Sequence, residues 1–344
     1  MPGIRRPAPQ PRKVARLHAP RYNRGRKGNA IEGDAMTLFL GSALVIANPA
    51  SQSGAGAEGA EFVRRTLEAF SSATKGYDVR LTTGPGHAMQ MARAATGFDT
   101  VLALGGDGVI HEVVNGLMKI DPSRRPRLGI IPLGSGNDYA RTLGMAINEP
   151  DKALGQVLQG ISYRVDLGCV NGVYFDETLS FGVDAAIALD TMERRKKAGA
   201  HGTRLFAASG VDVVRHQMRK WDYRATIDGE QMDGSSVIFA VQVGPTYGGG
   251  FRICPAADIL DGKLDLCYSE GSPSTAAALG ILGRARFALH ERSRFLRFAQ
   301  AAELTLDFEE EPPCQADGER VEGTHFEISC AHRALEVIHP TWEG

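Results

Sequence analysis

Residues 105–108 of the chain read Gly-Gly-Asp-Gly, with Glu112 and Asn115 following at helical spacing. A glycine turn that opens a helix exposes backbone N–H groups, and such groups attract phosphate oxygens. An aspartate inside that turn repels the anion. The repulsion disappears if a Mg²⁺ ion lies between the two, or if the acid serves as base for an attacking hydroxyl. Residues 130–141, IIPLGSGNDYAR, repeat the design: an apolar run, then Gly134-Ser135-Gly136, then Asn137 and Asp138. Each polar residue also has a plain role open to it. Asp107, Asn137 and Asp138 are good helix caps, and Glu112 is a first-turn acid that complements a helix dipole. Two such turns in one sheet build a metal–phosphate pocket more readily than two independent caps. Two weaker motifs precede them. IANPASQSG (46–54) offers Asn48 and Ser51, and LTTGPGHA (81–88) offers Thr82 and Thr83, with His87 read as a helix-start residue. Either could be an ordinary connecting loop.

The elements that must position these residues alternate. Strands are predicted over 43–48, 78–82, 100–104 and 128–132, and helices over 58–73, 88–96, 109–118, 137–143 and 151–159. Such alternation means βαβ units and a parallel sheet, with ligands at the carboxyl ends of the strands. Beyond residue 163 the pattern changes. Strands are predicted over 163–167, 174–180, 224–227, 236–243, 263–268, 303–308 and 325–329, interrupted by helices over 205–220 and 276–290. That is the pattern of a mainly antiparallel second domain. The fold class expected is therefore α/β plus mainly β.

Composition bounds the function. The 344 residues carry a net charge of −1, which gives no reason to expect nucleic-acid binding. The total hides an asymmetry. Residues 1–35 hold nine Lys/Arg against Glu32 and Asp34, a surplus of seven positive charges, so the rest of the chain has a surplus of eight negative ones. This segment is expected to be disordered, as a tail from an upstream start or as a basic arm that leans on anionic lipid. The five cysteines are scattered without a CxxC pair, as in a reducing cytosol. No stretch approaches the length of a membrane span.

GGDGVIHEVVNGLM with PLGSGNDYAR resembles the diacylglycerol kinase catalytic domain, whose superfamily includes bacterial soluble lipid kinases and sphingosine kinases. The resemblance runs over nearly all of 43–340. NPASQSG is similar to the family's nucleotide loop, and Thr82 falls where its phosphate-side threonine lies. FGVDAAI (181–187), GGGFRICPAADILDGKLDL (248–266) and QADGE (315–319) resemble its later signatures. NAD kinase shares a GGDG turn but not this combination.

The resemblance implies a doubly wound, NAD kinase- and phosphofructokinase-like ATP domain (36–165) and a β-sandwich-like lipid domain (166–330). The last segment, 331–344, is expected to return a strand, over 334–338, to the first domain. It also implies ATP and Mg²⁺ as cofactors. The nucleotide would meet Asn48, Ser51, Thr82, Gly105, Gly106, Asp107, Gly108, Glu112, Asn115, Gly134, Ser135, Asn137 and Asp138. Asp317 is implied as general base with Glu319 beside it. Asp107 lies in the Mg²⁺–phosphate network, and the roles of Asp107 and Asp317 could be exchanged. A structural Mg²⁺ site is implied at Asp261, with backbone carbonyls of Asp258 and Lys263; a plain turn is the alternative. Sphingosine kinases carry a second acid two residues after the position of Asp184, and Ala186 stands there in this chain. That favours diacylglycerol over a sphingosine- or ceramide-type acceptor. The expected partners are a membrane lipid and a transient anionic membrane surface, which the basic, partly apolar 276–298 region could reach, with core packing as the plainer reading. A homodimer is left open. The expected location is cytoplasmic with peripheral membrane association. A catalytically silent lipid- or nucleotide-binding module is the rival of another class.

Overall fold

A computed structural model describes residues 38–198 and 203–340, so segment 1–35, with both readings of it, and positions 341–344 lie outside the described residues. The first part alternates as the sequence predicts: β1 (Ser42–Ala47), α1 (Ala55–Ala69), β2 (Gly76–Leu81), α2 (His87–Arg93), β3 (Thr100–Gly105), α3 (Asp107–Leu117), β4 (Arg127–Pro132), α4 (Asp138–Thr142) and α5 (Pro150–Leu158). The four strands are parallel in the order β2-β1-β3-β4. Val101 to Leu104 are wholly buried, which is why β3 reads as an unbroken apolar run rather than an alternation. In α3, Ile110, Val113, Val114 and Leu117 form the buried stripe that seats the helix on the sheet.

The second part comprises β5 (Ile161–Val170), β6 (Val173–Phe175), β7 (Thr178–Gly182), α6 (Val183–Ala198), α7 (Thr203–His216), β8 (Trp221–Ile227), β9 (Glu230–Ser236), β10 (Ile238–Gln242) and β11 (Leu264–Ser269). It continues with α8 (Thr275–Ala285), β12 (Leu296–Ala301), β13 (Glu303–Phe308), β14 (Cys314–Ala316), β15 (Glu319–Arg320) and β16 (His325–His339). An antiparallel sheet of six strands runs β12-β11-β10-β7-β14-β15. The parallel sheet is itself extended by antiparallel strands through β16, whose Val337 lies parallel to Leu128 of β4. The architecture is thus a parallel α/β part joined to an antiparallel β part. No helix among the described residues is long and apolar enough to cross a membrane.

Several elements differ from the sequence reading. The strand expected over 174–180 is broken at Asp176 and Glu177, because three successive N–H groups there turn toward the Asp317 carboxylate instead of a neighbouring strand. Helix α6 was not anticipated. Strands β9, β12, β14 and β15 were also missed, whereas the strands expected over 325–329 and 334–338 are one strand, β16, continuous through an irregularity between Ala331 and Leu335, and its later half does return to β4.

Helix α3 is brought against α2 by Gly116, where an added Cβ would meet the Met89 carbonyl and stand 2.6 Å from the Ala92 methyl. Gly116→Ala is therefore expected to destabilise the protein by about 1–3 kcal/mol, since α2 must move to admit the methyl. Gly155→Ala, in α5 with open space around it, is expected to stabilise by roughly 0.5–1 kcal/mol. Urea denaturation of the two variants checks both signs.

Candidate active site

The glycine turns after β3 and β4 lie back to back. A Cβ on Gly106 would stand 3.1 Å from the Gly134 Cα, so the two loops approach with nothing but backbone between them. Asp107 then fastens one turn to the other. Its Oδ2 accepts from the Asn137 N–H at 2.8 Å and its Oδ1 from the Asp138 N–H at 2.7 Å. Gly136 must be small because a side chain there would meet both the Asp107 and the Asp138 carboxylates, at 2.7 and 3.1 Å. Asp138 in turn accepts from the N–H groups of Gly249 and Gly250, at 2.8 Å each, which brings the 248–250 glycine run to the same place.

A second carboxylate organises the opposite wall. Asp317 sits in the tight turn between β14 and β15 with φ of 48°. Its Oδ1 accepts from Glu177 N–H (3.1 Å) and Thr178 N–H (2.9 Å), and its Oδ2 from Asp176 N–H (2.9 Å). The imidazole of His111, from α3, completes the set at 2.9 Å from Oδ2. The ring's other nitrogen lies 3.3 Å from the Asn115 amide. Between the walls is a cavity of about 770 Å³, lined by Asn48, Thr82 and Gly108 from the parallel part and by Met192, Phe206 and Tyr247 from the antiparallel part. Its polar lining is acidic: Asp107, Asp138, Asp176, Glu177, Asp317 and Glu319 all contribute, against one arginine among the described residues, Arg195.

Burial governs the electrostatics here. It pushes the Asp138 carboxyl up to about 7, and the Asp107 charge adds to the shift. Asp107 is raised too, by burial more than by Asp317 and against the pull of its own N–H partners. Asp176 and Glu177 stand well above the usual carboxylate range, again by burial first. One oxygen of each, Oδ2 and Oε2, has no hydrogen-bond partner. Burial pulls His111 downward, but the hydrogen bond and charge of Asp317 outweigh it, and its net shift is upward.

Among the residues expected to meet a nucleotide, Asn48, Ser51, Thr82, Gly106, Asp107, Gly108, Gly134, Ser135 and Asp138 do line the cavity. Four others have structural tasks. Gly105 stays inside β3, its carbonyl accepting from Leu133, and is not on the wall. Asn115 is buried and clasps the backbone of Tyr174 through both ends of its amide. Asn137 is buried in a left-handed position at the start of α4, and its amide donates to Gly134 O at 2.8 Å. Glu112 borders the cavity, but its carboxylate caps α2 by accepting from Gly86 N–H (2.7 Å) and Ala88 N–H (3.0 Å). Asp184 is buried and accepts from the Tyr247 hydroxyl, and burial pushes it up to about 6.

The turn at Asp258 and Asp261 is closed by its own bonds, Leu260 N–H to Asp258 and Lys263 N–H to Asp261, both 3.0 Å. Among the described residues no three His, Cys, Asp or Glu side chains converge as a metal site. Sequence reasoning missed Asp176, Glu177 and the partnership of His111 with Asp317. The adjacent acids in an apolar stretch, FDETLSFG, were the available signal.

Residues 42–170 match the diacylglycerol kinase catalytic domain, and residues 177–339 match the YegS C-terminal NAD kinase beta sandwich-like domain. A protein named "Diacylglycerol kinase" from Bacillus subtilis (strain 168) is 28% identical over 278 residues, covering 80% of this chain and 90% of its own. One from Enterobacter sp. (strain 638), named "Probable lipid kinase YegS-like", is 31% identical over 274 residues, 76% of this chain and 86% of that one. A crystal structure of a diacylglycerol kinase from Bacillus anthracis str. Sterne superposes with a TM-score of 0.72 at 23% identity, covering 88% of this chain and 97% of that one, a likeness of fold.

The raised carboxyls fix the sign of a pH effect. Asp138 holds its proton in the folded state up to about pH 7, whereas its unfolded counterpart ionises near pH 4, so the native state binds the extra proton between these values. The protein without nucleotide is expected to lose stability as pH rises through that window. Asp138→Asn is expected to make the fall shallower. Urea denaturation at pH values spanning the window measures the slope for both proteins.

Proposed function

The chain belongs to the diacylglycerol kinase catalytic-domain family and is an ATP-dependent lipid kinase; from that premise we propose that its acceptor is diacylglycerol and its product phosphatidic acid. The observation that carries the reading is the cavity, lined from the parallel part by two phosphate-type glycine turns and from the antiparallel part by apolar side chains.

Each part has a task in moving a phosphoryl group. Asn48, Thr82 and the β4 turn are assigned to the nucleotide. The first-turn N–H groups of α3 have no intrahelical acceptor, and Gly108, which lines the cavity, presents one of them to phosphate oxygens. The acid content of the lining fits a hard divalent cation. The Asp107 carboxylate lines the cavity, and so do Asp176 and Glu177, each with one buried oxygen that no hydrogen bond satisfies. Mg²⁺ is commonly held by one or two carboxylates plus substrate phosphates, so the lack of three converged acids suits it. When bound it would neutralise charge on the β- and γ-phosphates. Asp107 is the residue assigned to it. A second, structural Mg²⁺ is assigned to Asp261 with the backbone carbonyls of Asp258 and Lys263, where the turn held by Leu260 N–H and Lys263 N–H would present these oxygens.

We assign proton acceptance from the lipid hydroxyl to Asp317, with Glu319 beside it. Asp317 already takes four hydrogen bonds, which fills the lone pairs of a carboxylate. It meets a hydroxyl only if one donor in 176–178 yields. His111 and Asn115 hold the carboxylate in place from behind. The acceptor's apolar body is assigned to Met192, Phe206 and Tyr247. Ala186 leaves no acid for an amine at the position where sphingosine kinases carry one, which supports a neutral acceptor.

Labelled ATP, Mg²⁺ and a lipid panel test the reading. Diacylglycerol is expected to take the label in preference to sphingosine and ceramide. Asp317→Asn is expected to lower kcat by about 10²–10⁴, the range for removal of a general base. Asp107→Asn is expected to abolish turnover. Preferential labelling of sphingosine would overturn the acceptor assignment, and turnover that survives Asp317→Asn would move the base to Asp107.

A further inference from the structure

Phe287 and Leu289 are the most exposed large apolar side chains among the described residues, at 71% and 66%. They are displayed on a fixed turn. Helix α8 ends just before them, and the Arg284 carbonyl accepts from both Phe287 N–H and Leu289 N–H at 3.0 Å. Between them Ala288 takes a left-handed conformation, φ 55°, unusual for a residue with a Cβ. The flanks are anchored. The Ala285 carbonyl accepts from Arg252 N–H at 3.0 Å, and the buried His290 bonds through Nε2 to the Ile253 carbonyl at 2.9 Å. The two side chains therefore project from a rigid base.

The charge around this tip is one-sided. Arg284, Arg286, Arg292 and Arg294 are all exposed, and Glu291 is the one acid among them. Arg297, farther along, is paired with Glu270. The chain as a whole is at −1, so the basic ring is a local feature. The tip also adjoins the cavity. The Arg286 guanidinium donates to Gly250 O at 2.7 Å, and Gly248 and Gly249 of the same run line the cavity wall. Leu282 of α8 packs at Gly210 of α7, the helix whose Phe206 lines the cavity.

We propose that the turn at Phe287 and Leu289 is a membrane wedge: the two side chains enter an anionic bilayer below its headgroups while the surrounding arginines meet lipid phosphates. An apolar point ringed by guanidinium groups is complementary to that interface in both polarity and charge. The inference deepens the lipid-kinase reading by giving the surface from which a bilayer-resident acceptor reaches the cavity. The wedge's own test does not depend on catalysis.

The full chain, without nucleotide, is sedimented with vesicles of phosphatidylcholine alone or mixed with phosphatidylglycerol. Binding is expected to the mixed vesicles and to weaken with salt. Phe287→Ser/Leu289→Ser and, separately, Arg292→Ser/Arg294→Ser are each expected to weaken it by about tenfold or more. Because the substituted side chains are exposed, thermal unfolding should match the unaltered protein. Turnover of a water-soluble short-chain diacylglycerol should be unchanged in the Phe287/Leu289 variant. Undiminished vesicle binding by that variant would overturn the proposal and assign any binding to other basic residues, those of 1–35 included. Equal binding to both vesicle types would overturn it as well. In Phe287→Trp, the added emission should shift to the blue on vesicles, and an unshifted spectrum would contradict the wedge. Failure of the unaltered protein to phosphorylate the soluble acceptor would count against the kinase reading alone.

Discussion

The site is held open by carboxylates that bind backbone before they meet any ligand. Asp107 takes the N–H groups of Asn137 and Asp138 and so clamps the β3 and β4 turns together. Asp317 takes three successive N–H groups from 176–178 and is backed by His111 of α3, which joins the antiparallel part to the parallel one. Charge-assisted bonds of this kind are the stronger class, and buried carboxylates left without them are disfavoured. The arrangement concentrates acidic groups where phosphates must come, and burial holds Asp107, Asp138, Asp176 and Glu177 toward their protonated forms, so a cation arriving there would favour their ionised forms. Asp176 and Glu177, each with an unpartnered oxygen and a raised carboxyl, are where that effect would be greatest.

The same constraint explains local features that look unrelated. Gly106, Gly134 and Gly136 are small because two backbones and two carboxylates meet there. The break between β6 and β7 exists because the N–H groups that would continue a strand are turned to Asp317. The 248–250 run lies against α4 because Asp138 accepts from it. Through Arg286 and Gly250, that run in turn adjoins the exposed turn after α8.

The parallel part was legible in the sequence because its signals are local. The apolar runs of β3 and β4 and the buried stripe of α3 are each contained within one element. The glycine turns mark their junctions. The residues that line the cavity from these turns were read from the same stretches. Asn115 and Asn137 were not, because a polar side chain at a helix start or on a helix face has the same spacing whether it faces a ligand or a neighbouring carbonyl. Only the Tyr174 backbone, 59 residues on, decides the role of Asn115. The pairing of His111 with Asp317 spans 206 residues and leaves no periodicity to detect. Helix α6 follows a buried strand without a break in composition, so its start was invisible, whereas β9 and β12 are largely half-buried or exposed and carry too little apolar pattern. Asp176 and Glu177 fell inside the strand expected over 174–180, and only their burial sets them apart.

The central claim is that this acidic crevice admits nucleotide phosphates only in company with a cation. Calorimetric titration of ATP into the protein, with Mg²⁺ and then with Mg²⁺ removed by chelator, tests it most directly. The account predicts saturable binding with Mg²⁺ and a loss of about tenfold or more in affinity without it, since several buried carboxylates would then face the uncompensated triphosphate. Equal affinity in the two conditions would contradict it.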